Sequence, residues 1–187
     1  MAASERESGV RWTIYESPIG PLTLVMGPRG LTDLNFPGRL RVPDEAAKQP
    51  LPEVAEQLDA YFAGERQEFD LPLDLQGTSL ELAVWRQLLE IPYGETTSYG
   101  ELAERIDPAL FPVEIEPWER ARIVGATNGR NPVSIIVPCH RVIGADGSLT
   151  GYGGGLQRKQ ALLDLERRTT GGGPPPPGWA SRQLGML

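Results

Sequence analysis

The 187-residue sequence holds one cysteine, one histidine and no apolar run long enough to span a bilayer. A single thiol cannot close an intramolecular disulfide, so the fold depends on no cross-link, and a reduced thiol suits a reducing compartment. With Cys139 and His140 as the sole sulfur and imidazole ligands, a zinc or iron site lacks donors, and no metal is expected. Met1 to Gly9 is polar with charges of both signs, unlike a secretory leader, so the chain reads as cytoplasmic with no membrane partner. Positive charge is also short. Its 18 basic and 25 acidic side chains give a net charge of -7, which argues at first against a nucleic-acid partner. The deficit is uneven: residues 1–77 carry 7 basic and 13 acidic side chains, whereas residues 78–168 carry 10 and 12. The second stretch can still present a basic face.

What is present suggests an α+β chain in two parts. Val10 to Glu16, Pro21 to Gly27 and Leu31 to Phe36 are strand-like runs separated by glycine-containing breaks, the pattern of a small antiparallel meander. Val54, Leu58, Tyr61 and Phe62 recur at helical spacing between Pro52 and Gly64, which predicts a helix packed on that sheet. Residues 1–77 thus read as a scaffold domain. A second domain, 78–168, opens at Thr78-Ser79-Leu80-Glu81, a capping box leading a helix with Leu82, Trp85 and Leu89 inward. Ser98-Tyr99-Gly100-Glu101 repeats the pattern for a short helix. After the acidic, proline-containing stretch from Asp107 to Glu116, Pro117 starts a helix running to about Asn128, with Gly129 beyond its end. This pair has the makings of a helix-turn-helix. Ile135-Ile136-Val137 reads as a buried strand, and a last helix is expected over 156–168. The Gly/Pro-rich tail, 169–187, reads as disordered.

A lone cysteine serves either as a small buried hydrophobe or as a reactive thiol. In Pro138-Cys139-His140-Arg141 it stands beside an imidazole and a guanidinium, and positive charge near sulfur raises the thiolate fraction. In the last helix Leu156 and Leu163 share a face, and Glu166 falls on it rather than with Arg167 and Arg168. An inward carboxylate needs a partner. His140 would give a Glu-His-Cys relay; an arginine, or a frayed helix end, are the alternatives.

Pro-Cys-His-Arg-Val at 138–142, preceded by Asn131-Pro132 and followed by Gly151-Tyr152-Gly153-Gly154-Gly155-Leu156, resembles the active-site signature of the O6-alkylguanine-DNA alkyltransferases (methylated-DNA-protein-cysteine methyltransferases). The resemblance runs from about Thr78 to Glu166, including Ile91 to Tyr99 and Ala121 to Gly125, and extends less specifically to Ser17 to Leu22. It implies a ribonuclease H-like first domain and a winged-helix-like, DNA-binding second one. By the same resemblance Cys139 accepts an alkyl group, His140 withdraws the thiol proton through a water, Glu166 holds the imidazole, Tyr99 protonates the departing guanine and Asn131 braces the turn. Val142, with the Cys139 carbonyl, would take the guanine amino group, Gly153 would approach its oxygen and Tyr152 would line the pocket. Arg122 would fill the stack left by a flipped nucleotide, while Ala121, Gly125 and Ala126 let the helix approach the minor groove. The implied partner is double-stranded DNA carrying O6-alkylguanine, met by a monomer without metal or nucleotide cofactor, in one transfer per molecule.

The segment Asp107 to Glu119 departs from the pattern: it is longer and more acidic than the family's usual connection. Two other functions remain open at this stage. A non-catalytic lesion-binding protein would need no acceptor thiol, and a cysteine hydrolase would give Arg122 no role.

Overall fold

The computed structural model describes residues 9–38, 43–113, 115–173 and 179. The chain divides into two compact units, Met1–Gln76 with Pro132–Ile136, and Gly77–Asn131 with Val137–Leu187.

In the first unit β1 (Arg11–Ser17), β2 (Gly20–Gly27) and β3 (Gly30–Asn35) form an antiparallel meander in the order β1-β2-β3. Helix α1 (Pro52–Phe62) buries Val54, Leu58 and Tyr61, three of the four residues whose spacing predicts it, and leaves Phe62 half-buried. Alternation along the strands sends Leu22 and Leu24 to the α1 side and Val25 to the other. There Val25 packs with Trp12 and Ala47 of the 3-10 turn Glu45–Ala47. Covering on both faces explains why β2 lacks the half-polar pattern of a solvent-facing strand.

Two returning segments shield the outer edge of β3, where an unpaired ladder would invite association. Leu31 donates to the Pro72 carbonyl at 2.8 Å and Leu34 to the Pro132 carbonyl at 2.9 Å. Gly30 permits the first approach, because a Cβ there would lie 2.5 Å from the Pro72 oxygen. The second segment corrects an expectation. Ile135-Ile136-Val137 is buried but is not a strand: Ile135 and Ile136 form a turn, and the segment meets β3 before the run, at the Leu34↔Val133 bridge. The Ile136 amide then folds back on the Ser134 carbonyl at 2.9 Å across Ile135, whose φ is 74°. A β-branched residue at positive φ costs roughly 1–3 kcal/mol, so surrounding packing must impose this bend.

The second unit begins with α2 (Ser79–Leu89), whose capping box joins Thr78 and Glu81 as expected. Its buried side chains are Val84, Trp85 and Leu88, whereas Leu89 is 43% exposed. The inner face is therefore turned by one residue from the expected Leu82, Trp85 and Leu89. The Trp85 indole sets this rotation by donating to the Thr127 carbonyl at 3.3 Å. Ser98 and Glu101 cap α3 (Tyr99–Glu104). It packs against α4 (Pro117–Gly129), which extends through Gly129 rather than ending before it. Between them Asp107 caps the 3-10 turn Pro108–Leu110 and Phe111 is buried; Glu114 lies outside the described residues. The two-residue strands β4 (Thr97–Ser98) and β5 (Val142–Ile143) pair in parallel, and α5 (Leu156–Thr169) closes the unit.

Within the tail expected to be disordered, residues 174–178 and 180–187 lie outside the described residues. Thr169 ends α5, and Trp179 is 7% exposed in a cluster with Ile143 and Leu163, so at that residue the tail belongs to the core. No helix among the described residues is long and apolar enough to cross a membrane.

The rotation of α2 is checked by urea unfolding of two neighbouring variants. Leu88→Ala should cost about 3 kcal/mol and Leu89→Ala less than about 1 kcal/mol; equal losses would contradict the assigned face.

Candidate active site

Cys139 opens a 3-10 turn, Cys139–Arg141, that follows an inverse γ-turn at Pro138 with φ -82° and ψ 62°. The Cys139 amide closes that turn on the Val137 carbonyl at 2.8 Å. Two asparagines from the end of α4 grip the segment: Asn131 donates to the Val137 carbonyl at 2.7 Å and Asn128 to the Cys139 carbonyl at 3.2 Å. Both are buried. A side-chain amide so fixed spares the backbone an unsatisfied acceptor and holds the turn in a single shape. Asn128 was not singled out from sequence, although its place four residues after Val124 puts it on the buried face of α4.

The turn sends His140 and Arg141 into the interior, where both meet Glu166. His140 Nε2 lies 2.8 Å from Glu166 Oε1. Arg141 Nε donates to Oε2 and Nη2 to Oε1, each at 2.9 Å, while Nη1 donates to the Ile91 carbonyl at 2.7 Å. The Gly94 amide adds a bond to Oε2 at 3.1 Å. The two partners considered for Glu166 are thus both engaged at once. Burial alone would raise the carboxyl pKa, but His140 and Arg141 outweigh it and hold Glu166 far below the usual carboxylate range.

His140 is fully buried. Burial pushes its pKa below the ordinary imidazole value; Glu166 pulls it up, and Arg141 and Lys159 push it further down. The ring is therefore neutral at pH 7, with Nε2–H donating to Glu166 and the lone pair on Nδ1. Nδ1 is buried and has no hydrogen-bond partner among the described residues.

Arg141 is occupied by Glu166, so the cation coupled to the thiol is another residue, Lys159. This side chain is 0% exposed. Its Nζ donates at 2.6 Å to each of the Val142 and Thr150 carbonyls and lies 5.8 Å from the Tyr99 ring centroid. Burial lowers its pKa to about 8, with Cys139 pulling the other way. The spacing that marks Glu166 also marks Lys159, seven residues earlier and four before Leu163, and sequence reasoning passed over it.

Tyr99, the first residue of α3, donates its hydroxyl to the Thr150 and Gly151 carbonyls at 3.1 and 3.2 Å. Burial, with the nearby Cys139, raises its pKa, so the phenol keeps its proton. Gly125 lies beside the ring: a Cβ there would stand 3.5 Å from Tyr99 Cδ1, in ordinary contact. Cys139, His140, Glu166, Tyr99, Asn131 and Val142 are linked through this one network. Tyr152, half-buried, and Gly153, exposed, lie on the glycine-rich segment that follows Thr150. The Cys139 carbonyl takes both the Asn128 amide and the Val142 N–H, and the Val142 carbonyl takes Lys159, so a guanine amino group would share acceptors already in use. Arg122 and Ala126 are exposed on α4, with Ala121 and Gly125 half-buried beside them.

Two family models match the chain: the DNA binding domain of 6-O-methylguanine DNA methyltransferase over residues 79–168 and its ribonuclease-like domain over residues 10–75. These matches agree with the expected α+β architecture. The methylated-DNA–protein-cysteine methyltransferase of Mycobacterium tuberculosis strain H37Rv is 49% identical over 162 residues, covering 84% of this chain and 93% of the relative. That of Methanosarcina acetivorans is 46% identical over 160 residues, with 83% and 97% covered. A crystal structure of Mycobacterium tuberculosis OGT in complex with DNA aligns with a TM-score of 0.72 at 50% identity, over 85% of this chain and 94% of that one. With both domains matched in order and relatives near half identity along most of their length, the chain belongs to the 6-O-methylguanine DNA methyltransferase family.

Proposed function

We propose that the protein repairs alkylated DNA by moving the alkyl group of an O6-alkylguanine onto its own Cys139, once per molecule. The observation that carries this reading is the His140 ring, fixed through Nε2 by Glu166 and left with a buried basic Nδ1 one residue from the thiol. The names of the relatives and the DNA-bound neighbour support it.

The target oxygen is inaccessible in a stacked duplex, so the nucleotide is extruded, at roughly a few kcal/mol. The face of α4 bearing Ala121, Arg122, Gly125 and Ala126 enters the minor groove, where readout is poorly base-specific and damage can be met in any sequence. Arg122 occupies the vacated stack. His140 Nδ1 takes the thiol proton through a water, and the Lys159 ammonium favours the resulting thiolate. The sulfur–carbon bond forms as the carbon–O6 bond breaks; its electron pair stays on guanine, which takes a proton from Tyr99. Exchange with water then restores Tyr99 and His140. Asn131 and Asn128 keep the sulfur in place, the Cys139 and Val142 carbonyls accept from the guanine amino group, Gly153 approaches the departing oxygen and Tyr152 lines the pocket. The product thioether has no carbonyl for water to attack, so the protein is spent. A cytoplasmic setting supplies both DNA and a reduced thiol.

Duplex DNA carrying radiolabelled O6-methylguanine, followed by peptide mass spectrometry, should place no more than one methyl per molecule, on Cys139. Cys139→Ala should bind the duplex and transfer nothing. Repeated turnover, or protein left unlabelled, overturns the proposal. Glu166→Gln, measured by rapid quench at saturating DNA, should slow transfer about 10²-fold, the low end for a lost acid-base contribution.

The pH profile follows from the buried bases. His140 stays neutral, hence basic, until pH falls below its ordinary 6.5, and Lys159 keeps its charge until pH rises through about 8. The single-turnover rate should therefore be level from pH 6.5 to about 8 and decline above. A rate that climbs instead through about pH 9, as an unaided thiol would give, removes Lys159 from the chemistry.

A further inference from the structure

The stretch from Asp107 to Glu119 has no role in the scheme above, yet it ends in an unusual residue. Trp118, the second residue of α4, is 58% exposed. A large aromatic on a helix otherwise settled into a core normally turns inward. Here the inward side is taken: Phe111 is 5% exposed and Arg120 lies over its ring, with the guanidinium carbon 5.5 Å from the centroid. Pro117 sets the first turn, and Glu119 reaches back to the Glu116 amide at 2.9 Å, closing a capping box. The start of α4 is therefore fixed with the indole outward.

Trp118 heads an exposed row at four-residue spacing, continuing through Arg122, Ala126 and Arg130. The guanidinium of Arg122 stands 5.7 Å from the Trp118 ring centroid, within the range of a cation–π contact. We propose that Trp118 is a DNA-contacting residue, whose indole lies against the sugars of the minor groove beside the site that Arg122 fills. The claim rests on the reading that this face of α4 meets DNA. Three features favour a duplex as the occupant. The row is continuous with the groove-facing residues, and its charged members are both basic, Arg130 being paired with Glu81 at 3.2 Å. The indole also offers one N–H donor and an apolar face, matching a groove whose floor presents acceptors at every base pair and whose walls are deoxyribose. Off DNA the ring stores Arg122 along the helix; on DNA the arginine moves into the stack and the indole keeps the groove.

The test compares Trp118→Ala, Trp118→Phe and Arg122→Ala in single-turnover transfer from a lesion duplex, titrating the DNA. Trp118→Ala should raise the half-saturating DNA concentration about five- to ten-fold, with the limiting rate within about twofold of the parent and the urea midpoint unchanged. Trp118→Phe should recover most of the affinity. Arg122→Ala should lower the limiting rate instead. Unchanged half-saturation for Trp118→Ala, or a fall in its limiting rate alone, overturns the proposal, as does a change in sedimentation of the DNA-free protein, which would assign the indole to a contact between copies. Failure of the parent protein, or no effect of Arg122→Ala, points to the underlying reading of α4 instead.

Discussion

A carboxylate withdrawn from water loses several kcal/mol of solvation unless donors surround it, and Glu166 imposes that condition on everything near the cysteine. Three segments converge to meet it: the loop holding Ile91 and Gly94, the turn Cys139–Arg141, and α5 itself. Each brings a donor or aligns one. Gly94 serves with φ at 79° and so close to Thr170 that a Cβ would stand 2.9 Å from Cγ2. The loop geometry, the sharpness of the cysteine turn and the inward set of the last helix thus answer one electrostatic demand.

That arrangement separates two positive charges that proximity in sequence would merge. Arg141, the cation of the cysteine motif, is consumed by Glu166, while the imidazole is kept neutral chiefly by its burial. Lys159, eighteen residues further on, is held by two carbonyls instead of a carboxylate, so its charge is not cancelled locally. A buried ammonium paired only with neutral dipoles is poorly stabilised, which is why an anion forming nearby is welcome. The uncompensated cation follows from this allocation of partners and the neutral base chiefly from burial.

Local chemistry was legible in the sequence where a short-range rule governs it. The capping boxes at Thr78 and Ser98 and the inward face of α1 follow from spacing alone, and the Pro-Cys-His-Arg-Val resemblance pointed to the correct family. Long-range partners set what was missed. The face of α2 depends on Trp85 reaching a carbonyl of α4, and the bend at Ile135 on a segment that pairs with β3 almost a hundred residues earlier. A hydrophobic run cannot reveal either. Lys159 and Asn128 were legible in principle, since both sit on otherwise apolar helical faces. They were overlooked because a basic residue amid Gln157, Arg158 and Gln160, or an asparagine near a helix end, ordinarily belongs to solvent.

Helix α4 carries the exposed row from Trp118 on one side, and on the other Asn128, with Asn131 just past its end, holding the carbonyls around Cys139. The proposed DNA-facing row and the mount of the cysteine turn are therefore the two sides of one rod about 20 Å long. In the proposed reading, where that row meets DNA, a helix of three to four turns carries any misalignment on one side through to the turn that holds the sulfur on the other. Poor seating and poor aim would then be the same event.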